Sequence, residues 1–590
     1  VSATGHHGGV WSRVFSTDHK VIAKQYLITA MVMALIGAGL SVLIRLQVTW
    51  PGETWPLLQK LFPGLYEDGL LLPERYLSLA TMHGTLMIFF VISLALVSGL
   101  GNFIIPLQVG ARDMAYPFLN MLSYWTIVPG CLLMLASFFV PDGAAAAGWT
   151  AYPPLSALPE AVPGSGPGQT LWLLAMALFI ASFTMGGLNF VTTILNLRTR
   201  GMSLMRMPLA TWTMFIASIL GILAFPALTA AAIMLLLDRH GGTSFFLPEG
   251  LVLGGTVLDH QGGTPLLFQH LFWFLGHPEV YVLVLPALGV AFEVVTAFGR
   301  RPAFGYRLSV WALVVIAALS MIVWGHHMFT SGMNPYIGEY FSIVTVAISL
   351  PFSILVVNLV ATLWRAEIRL RTAMLFALAL IAATAVGGLG GIWLGTATSD
   401  AYLHDSYFVV GHFHLMIGVV TFFGLFAALY YWYPKMFGRP MNETLGKIHF
   451  WLTTAPVFAA FVGMHYLGLA GLLRRTYDGT VYEYARPVHG LNTWITVALL
   501  TSAVAQVVFI ANFVGSWFRK RRAEANPWEA TTLEWTTPSP APHLNWPEPP
   551  AVHRGPYEYR VSGAPDGFVP QHVPADPRHE PEARLEEATR

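Results

Sequence analysis

Twelve stretches of this chain, near residues 25–46, 80–106, 118–140, 169–195, 211–237, 268–298, 308–330, 340–362, 372–394, 406–433, 448–472 and 491–517, carry few charges. Each is long enough to cross about 30 Å of hydrocarbon as an α-helix. Lipid offers no hydrogen bonds to backbone N–H and C=O groups, so a chain immersed in it satisfies them as helices or as a closed barrel, and runs of this length suit helices. The expected fold is all-α, a polytopic membrane bundle of twelve transmembrane helices over residues 25–517. It lies between an N-terminal segment, 1–24, and a Pro-rich tail, 518–590. Charged residues make up only 11% of the 590, where a soluble surface needs about 25–35%. A formal net charge of +1 leaves no electrostatic basis for binding nucleic acid.

Basic residues orient the bundle. With the N-terminus inside, the inner segments collect 20 Lys and Arg, from Arg13 to Arg522, whereas the outer loops hold 6: Lys60, Arg75, Arg239, Arg474, Arg475 and Arg486. The bias predicts an even number of spans with both termini cytoplasmic. The segment 523–590, with 13 prolines in 68 residues and an acidic finish at Glu580, Glu582, Glu586 and Glu587, reads as an irregular tail, lying along a partner surface or disordered. Cys131 is the single cysteine, so the chain builds no internal disulfide, Fe–S centre or dithiolate copper pair.

Once oriented, six histidines fall toward the outer ends of four spans: His83, His277, His326 with His327, and His412 with His414. One intramembrane histidine is as readily a packing residue as a ligand, but imidazole is costly in lipid unless paired or metal-bound, so six at one depth point to metal. Residues two apart on a helix diverge by about 200°, so His412 and His414 serve opposite sides of one helix. His326 and His327 diverge by about 100°, so both can face one metal only if their rotamers converge, and with His277 from the adjacent span they make a credible copper set. His277 and Tyr281 share a helix face. A phenol beside a metal can supply an electron and a proton, or can simply pack. Glu279, a carboxyl in the hydrocarbon region, reads as a proton relay or as a neutral acid tied to a backbone carbonyl.

Several motifs then coincide: Trp273 with His277-Pro278-Glu279-Val280-Tyr281, the pair His326-His327, and His404-Asp405-Ser406-Tyr407-Phe408-Val409-Val410-Gly411-His412-Phe413-His414. Thr17-Asp18-His19-Lys20, Gly110-Ala111-Arg112-Asp113-Met114-Ala115, Asn526-Pro527-Trp528 and Leu533-Glu534-Trp535 accompany them. Together they resemble subunit I of the haem-copper terminal oxidases, in the branch typified by mitochondrial and many bacterial cytochrome c oxidases. The resemblance implies a catalytic subunit of the bacterial inner (plasma) membrane that reduces O2 to water and pumps protons. It implies two haems, of A type, and one copper: a low-spin haem on His83 and His414, a high-spin haem on His412, and copper on His277, His326 and His327. Tyr281 resembles the tyrosine cross-linked in the family to the histidine four residues earlier. Arg45 matches an arginine near a haem formyl group, Arg474 and Arg475 a pair facing haem propionates, and His404 and Asp405 ligands of a Mg or Mn ion at the boundary with subunit II. The implied partners are a subunit II carrying the CuA pair that Cys131 alone cannot build, subunit III and small subunits, and cytochrome c or a small copper protein as donor.

Asp113, Asn102, Asn120, Asn189 and Ser182 match the family's D pathway, which would deliver protons to Glu279. The departure is in span 8, where Leu355 stands in place of the K-pathway lysine and Phe352 in place of a common hydroxyl. No lysine occurs between Lys60 and Lys435. The expectation is a span 8 without a continuous polar chain to Tyr281. Three other readings compete. A nitric oxide reductase of the same superfamily is favoured by the missing lysine and opposed by Tyr281. A quinol oxidase is disfavoured by Arg75 and Ser78, where that branch has His and Gln. A twelve-helix secondary transporter leaves the six histidines unexplained.

Overall fold

The computed structural model describes residues 10–161, 164–562, 564 and 566–574. Among the described residues, eleven helices are long and apolar enough to cross a membrane. In chain order the bundle comprises α1 (His19–Thr49), α2 (Pro73–Val109), α3 (Pro117–Phe139), α4 (Pro167–Asn196), α5 (Leu209–His240), α6 (Pro265–Gly299), α7 (Tyr306–Ser320), α8 (Pro335–Leu363), α9 (Thr372–Leu394), α10 (Tyr407–Phe437), α11 (Glu443–Leu469) and α12 (Glu483–Ser516). Several start in ways that suit the unsatisfied N–H groups of a first turn. Proline opens α2, α3, α4, α6 and α8, and the side chains of Asp18, Thr264, Asn334, Ser406 and Asn442 cap α1, α6, α8, α10 and α11.

Helices α2 and α6 are apolar on every side and are the most enclosed, as expected of helices without a polar face. Most of α1, α3, α8 and α12 faces outward. Two of the histidine-bearing helices are not regular. A π-helical stretch runs from Leu86 to Gly99 in α2, three residues after His83, and another from His414 to Val419 in α10. Such widened turns re-aim side chains and recur at functional sites.

The seventh apolar run departs from expectation. Helix α7 has 15 residues, about 22 Å at 1.5 Å per residue and short of a full span. The apolar run 308–330 leaves the α-helix at Met321, and Trp324–Met328 forms a separate 3-10 turn. Gly325 allows this turn to press on α8, since a Cβ there would lie 2.3 Å from the Phe341 ring.

The C-terminal segment also departs from expectation. The described residues of 523–574 form an irregular segment packed on this chain's own bundle. They cover the end of the bundle where α1 and α5 begin and α2, α6 and α10 finish, here termed the tail face. Leu533, Glu534, Trp535, Asn545 and Tyr557 are buried there. Asn545 Oδ1 accepts from Lys20 Nζ (3.0 Å) and its Nδ2 donates to the Ala111 carbonyl (2.9 Å). Lys435 Nζ donates to the carbonyls of Ala525 (2.8 Å) and Thr537 (2.6 Å). Proline prevents helix without preventing packing, because side chains supply the bonds a helix would have made internally. The acidic finish lies outside the described residues.

Candidate functional site

A cavity of about 1380 Å³ opens among α1, α2, α6, α8, α9, α10, α11 and α12, and all six predicted histidines line it. His277, on α6, and His326 and His327, on the 3-10 turn, place one ligand atom each within 4.8 Å of one another. Their rings lie 4.5 Å (His277 to His326), 5.5 Å (His277 to His327) and 4.2 Å (His326 to His327) apart between centroids. His277 Nε2 is buried without a partner. Three converging neutral nitrogens with one orphaned suit a transition-metal ion. His326 Nδ1 pairs with Thr345 Oγ1 of α8 at 2.9 Å, which orients the ring and leaves Nε2 free. Trp273 stacks on His327, 3.8 Å between centroids and 11° between planes. Tyr281 lies one turn from His277 with ring centroids 4.9 Å apart.

The other three histidines use one local device. His83 Nδ1 donates to the Gly37 carbonyl of α1 (2.8 Å), His412 Nδ1 to Gly387 of α9 (2.8 Å), and His414 Nδ1 to Val410 of its own helix (2.9 Å). A proton fixed on Nδ1 leaves the Nε2 lone pair available to a metal. The rings of His83 and His414 are near-parallel, 10° apart, with centroids separated by 6.4 Å. That spacing accommodates one metal ion between two imidazoles bonded at about 2 Å each. His412 points instead at α9, where a Cβ on Gly391 would come within 2.9 Å of its ring. The opposite facing expected from the two-residue spacing is therefore present, although a π-helical stretch begins at His414.

Glu279 is buried on α6. Its Oε1 accepts from Ser93 Oγ of α2 at 3.1 Å and its Oε2 has no partner. On the tail-face side, Asp113 is half-buried, and burial pushes its carboxyl up to about 6, against a hydrogen bond from Met114 N. Asn120 Nδ2 donates to Asn102 Oδ1 (2.6 Å), Tyr26 OH pairs with Ser123 Oγ (3.0 Å) and Ser182 Oγ (3.4 Å), and Ser182 donates to the Ser123 carbonyl (2.7 Å). Asn189 stands apart from these side chains, bonded to both backbone groups of Tyr116. Tyr26 and Ser123 belong to the same polar line and were not singled out from the sequence. Each lies inside an apolar run with nothing around it to mark it.

On the opposite side of the membrane centre, Arg45 is buried and donates to Thr496 Oγ1 (3.0 Å) and to Asn492 (3.1 Å) of α12. Arg474 pairs with Asp405, and Arg475 Nη2 is buried without a partner, as a guanidinium prepared for an absent carboxylate would be. Burial opposes ionisation of Asp405, but Arg474 and then His404 hold its carboxyl below the usual range. His404 Nδ1 bonds Asp400 Oδ2 at 2.8 Å. Asp400 is a partner that the sequence did not point to. On α8, Leu355 is buried and the Phe352 ring lies 6.4 Å from that of Tyr281. Asn358, bonded to Ser309 Oγ (2.8 Å), is the next polar group toward the tail face.

Residues 21–504 match the family described as cytochrome c and quinol oxidase polypeptide I. The "alternative cytochrome c oxidase subunit 1" of Bradyrhizobium diazoefficiens is 47% identical over 573 residues, covering 96% of this chain and 94% of that protein. The cytochrome c oxidase subunit 1 of Thermostichus vulcanus is 39% identical, with 93% and 92% covered. A cryo-EM structure of a heme-copper terminal oxidase dimer shares the fold, at TM-score 0.66 and 19% identity over 86% of this chain and 85% of that one. The family match, the near full-length relatives and the trio of histidines on α6 and its neighbouring turn agree: the chain belongs to the cytochrome c and quinol oxidase polypeptide I family, as the multi-pass catalytic subunit of a haem-copper terminal oxidase of the bacterial inner membrane.

Proposed function

We propose that this subunit reduces O2 to water with electrons from cytochrome c or a small copper protein, received through a subunit II that carries CuA, and that it couples the reaction to proton pumping. The observation that carries this reading is the convergence of His277, His326 and His327 in the wall of the cavity that His83, His412 and His414 also line. His277, His326 and His327 would hold copper, His83 and His414 the low-spin haem, and His412 the high-spin haem, both of A type. When bound, the haem and copper pair supplies the site where O2 binds and receives electrons. Tyr281, beside His277, would give an electron and a proton, and is placed for the family's cross-link. Asp113 would collect protons, with Asn102, Asn120, Asn189 and Ser182 along the way, and Glu279 would hand them on. Its unpartnered Oε2 leaves a carboxyl oxygen free for that exchange. Arg45 would face the haem formyl group and Arg474 and Arg475 the propionates. His404 and Asp405 would hold a Mg or Mn ion with ligands completed by subunit II. Subunit III and small subunits would complete the assembly. The chain would cross twelve times with both termini cytoplasmic, α7 and its 3-10 turn together making the seventh crossing.

The test is a reduced-minus-oxidised and a CO-difference spectrum of the purified enzyme, with metal counts and O2 consumption on the same sample. Two haems, one CO-reactive, with one copper beyond the CuA pair are expected. A second non-haem iron in place of that copper would instead support the nitric oxide reductase reading.

A further inference from the structure

The C-terminal segment buries a cluster of polar groups that the oxygen chemistry described above does not use. On the tail face, Glu293 near the end of α6 and Glu534 of the segment are 2% and 0% exposed. Glu293 Oε1 accepts from the Tyr557 hydroxyl (2.5 Å) and from Ala210 N (3.2 Å). Glu534 Oε1 accepts from Gln108 Nε2 (3.1 Å) and Trp432 Nε1 (3.2 Å). The ammonium of Lys435 faces Glu534 but directs its hydrogen bonds to the carbonyls of Ala525, Thr537 and Pro538. Arg300 is paired with Glu529 (3.3 Å). Glu534 Oε2 is buried with no partner, as are Thr532 Oγ1 and Trp535 Nε1.

Glu534 thus faces one ammonium, and a second buried carboxyl, Glu293, faces Glu534. A second uncompensated charge in this setting costs several kcal/mol, on the order of the effective penalty for burying an ion, so the group takes up a proton instead. The donors decide where. Each Oε1 already accepts two donors, and the bare Oε2 of Glu534 is the oxygen with room for a hydrogen. That hydrogen needs an acceptor, and clustered orphan polar atoms in a sealed site are answered by ordered water.

We propose that Glu293 and Glu534 form a proton-binding pair, with the proton on Oε2 of Glu534 and held by a buried water that also bonds Thr532. Burial keeps the Glu534 carboxyl above its usual range, in keeping with this. Tyr557, Tyr559, Tyr431 and Tyr306 are the other titratable groups that face the pair with Lys435. The site is separate from Asp113, which lies between α2 and α3, and does not depend on which metals the cavity holds.

Infrared spectroscopy of the purified holoenzyme in H2O and D2O tests it. The expected result is a protonated-carboxyl C=O band at neutral pH that is lost in Glu534→Gln. Glu293→Gln, a change on a different element, leaves Lys435 facing a single carboxyl that then ionises, so the same band disappears. Glu279→Gln leaves this band in place. Retention of the band in either the Glu534 or the Glu293 variant overturns the proposal, and the second variant decides the matter if the first does not assemble. If the band is absent from wild type until sodium and potassium are replaced by choline, an alkali cation occupies the pair and the proposal is also overturned. Haem spectra and O2 consumption on the same samples separate this outcome from any failure of the oxidase reading.

Discussion

At the scale of single residues, the site depends on which imidazole nitrogen is left free. His326→Ala removes one of three converging nitrogens, so copper content should fall to the CuA complement and O2 reduction should cease, while the spectrum tied to His83 and His414 persists. Full turnover in that variant would sink the assignment. Thr345→Val is a finer probe, because the hydroxyl 2.9 Å from His326 Nδ1 only aims the ring. Loss of such a supporting bond typically weakens metal affinity or activity about 10- to 100-fold, and copper titration should show it without loss of haem. Glu279→Gln keeps an acceptor for Ser93 but removes the ionisable proton, and turnover should fall by more than the roughly tenfold that 1.4 kcal/mol represents. Near-normal O2 consumption by that variant would reject Glu279 as the gate. The histidines were legible because metal chemistry confines ligands to few residue types at fixed spacings. Tyr26, Ser123 and Asp400 were not, since a hydroxyl or carboxyl makes its partner through the fold and leaves no local pattern.

At the scale of elements, hydropathy located eleven membrane helices well because burial of a continuous apolar run in lipid leaves few alternatives. It overran at α7 for the same reason: apolar character continues through Val323 and Trp324, but the backbone turns there, and composition does not register a turn held by Gly325 against Phe341. The tail was legible only as irregular. Its prolines suggested a segment laid along a partner or disordered, whereas its buried Leu533, Trp535 and Tyr557 pack on this chain's own bundle. Helix α8 carries a further prediction. Leu355 fills a packed position, so Leu355→Ala should cost about 2–5 kcal/mol of stability, read as a lower midpoint of thermal inactivation, with turnover unchanged at a temperature where the variant stays folded. A specific loss of turnover would show that a proton route does pass there. The loop between α2 and α3 gives another, in pH. Folding raises the Asp113 carboxyl to about 6, so the folded state favours the protonated form. That contribution is present below the unfolded value of about 3.9 and is lost as pH rises through about 6. Asp113→Asn cannot ionise. The thermal midpoint of the variant minus that of wild type should therefore climb between those two values and stay level above them. A flat difference would mean that Asp113 is solvated like an ordinary surface acid.

At the scale of the whole molecule, the arrangement is asymmetric across the membrane. The histidine-lined cavity lies toward the ends of α2 and α10 that are remote from the tail, while Asp113 and the tail-face carboxyls sit at the other end. Protons drawn from the tail face would have to cross most of the bundle, and the hydrogen-bonded side chains Asn120 and Asn102, and Ser123, Tyr26 and Ser182, lie on the Asp113 side. Along α8, Leu355 and the Phe352 ring stand between Asn358 and Tyr281. If one course feeds both chemistry and pumping, damage to it should affect both. In reconstituted vesicles given an oxidant pulse, the wild type should acidify the external medium, and the acidification should vanish with an uncoupler. Asp113→Asn should lower O2 consumption and outward proton release together. A second full-capacity course along α8 predicts otherwise: consumption in Asp113→Asn would hold up while release alone fell, and Leu355→Ala would then disturb the remaining turnover. Wild-type vesicles that consume O2 and never acidify the medium would show an oxidase that takes protons for water formation from one side and pumps none.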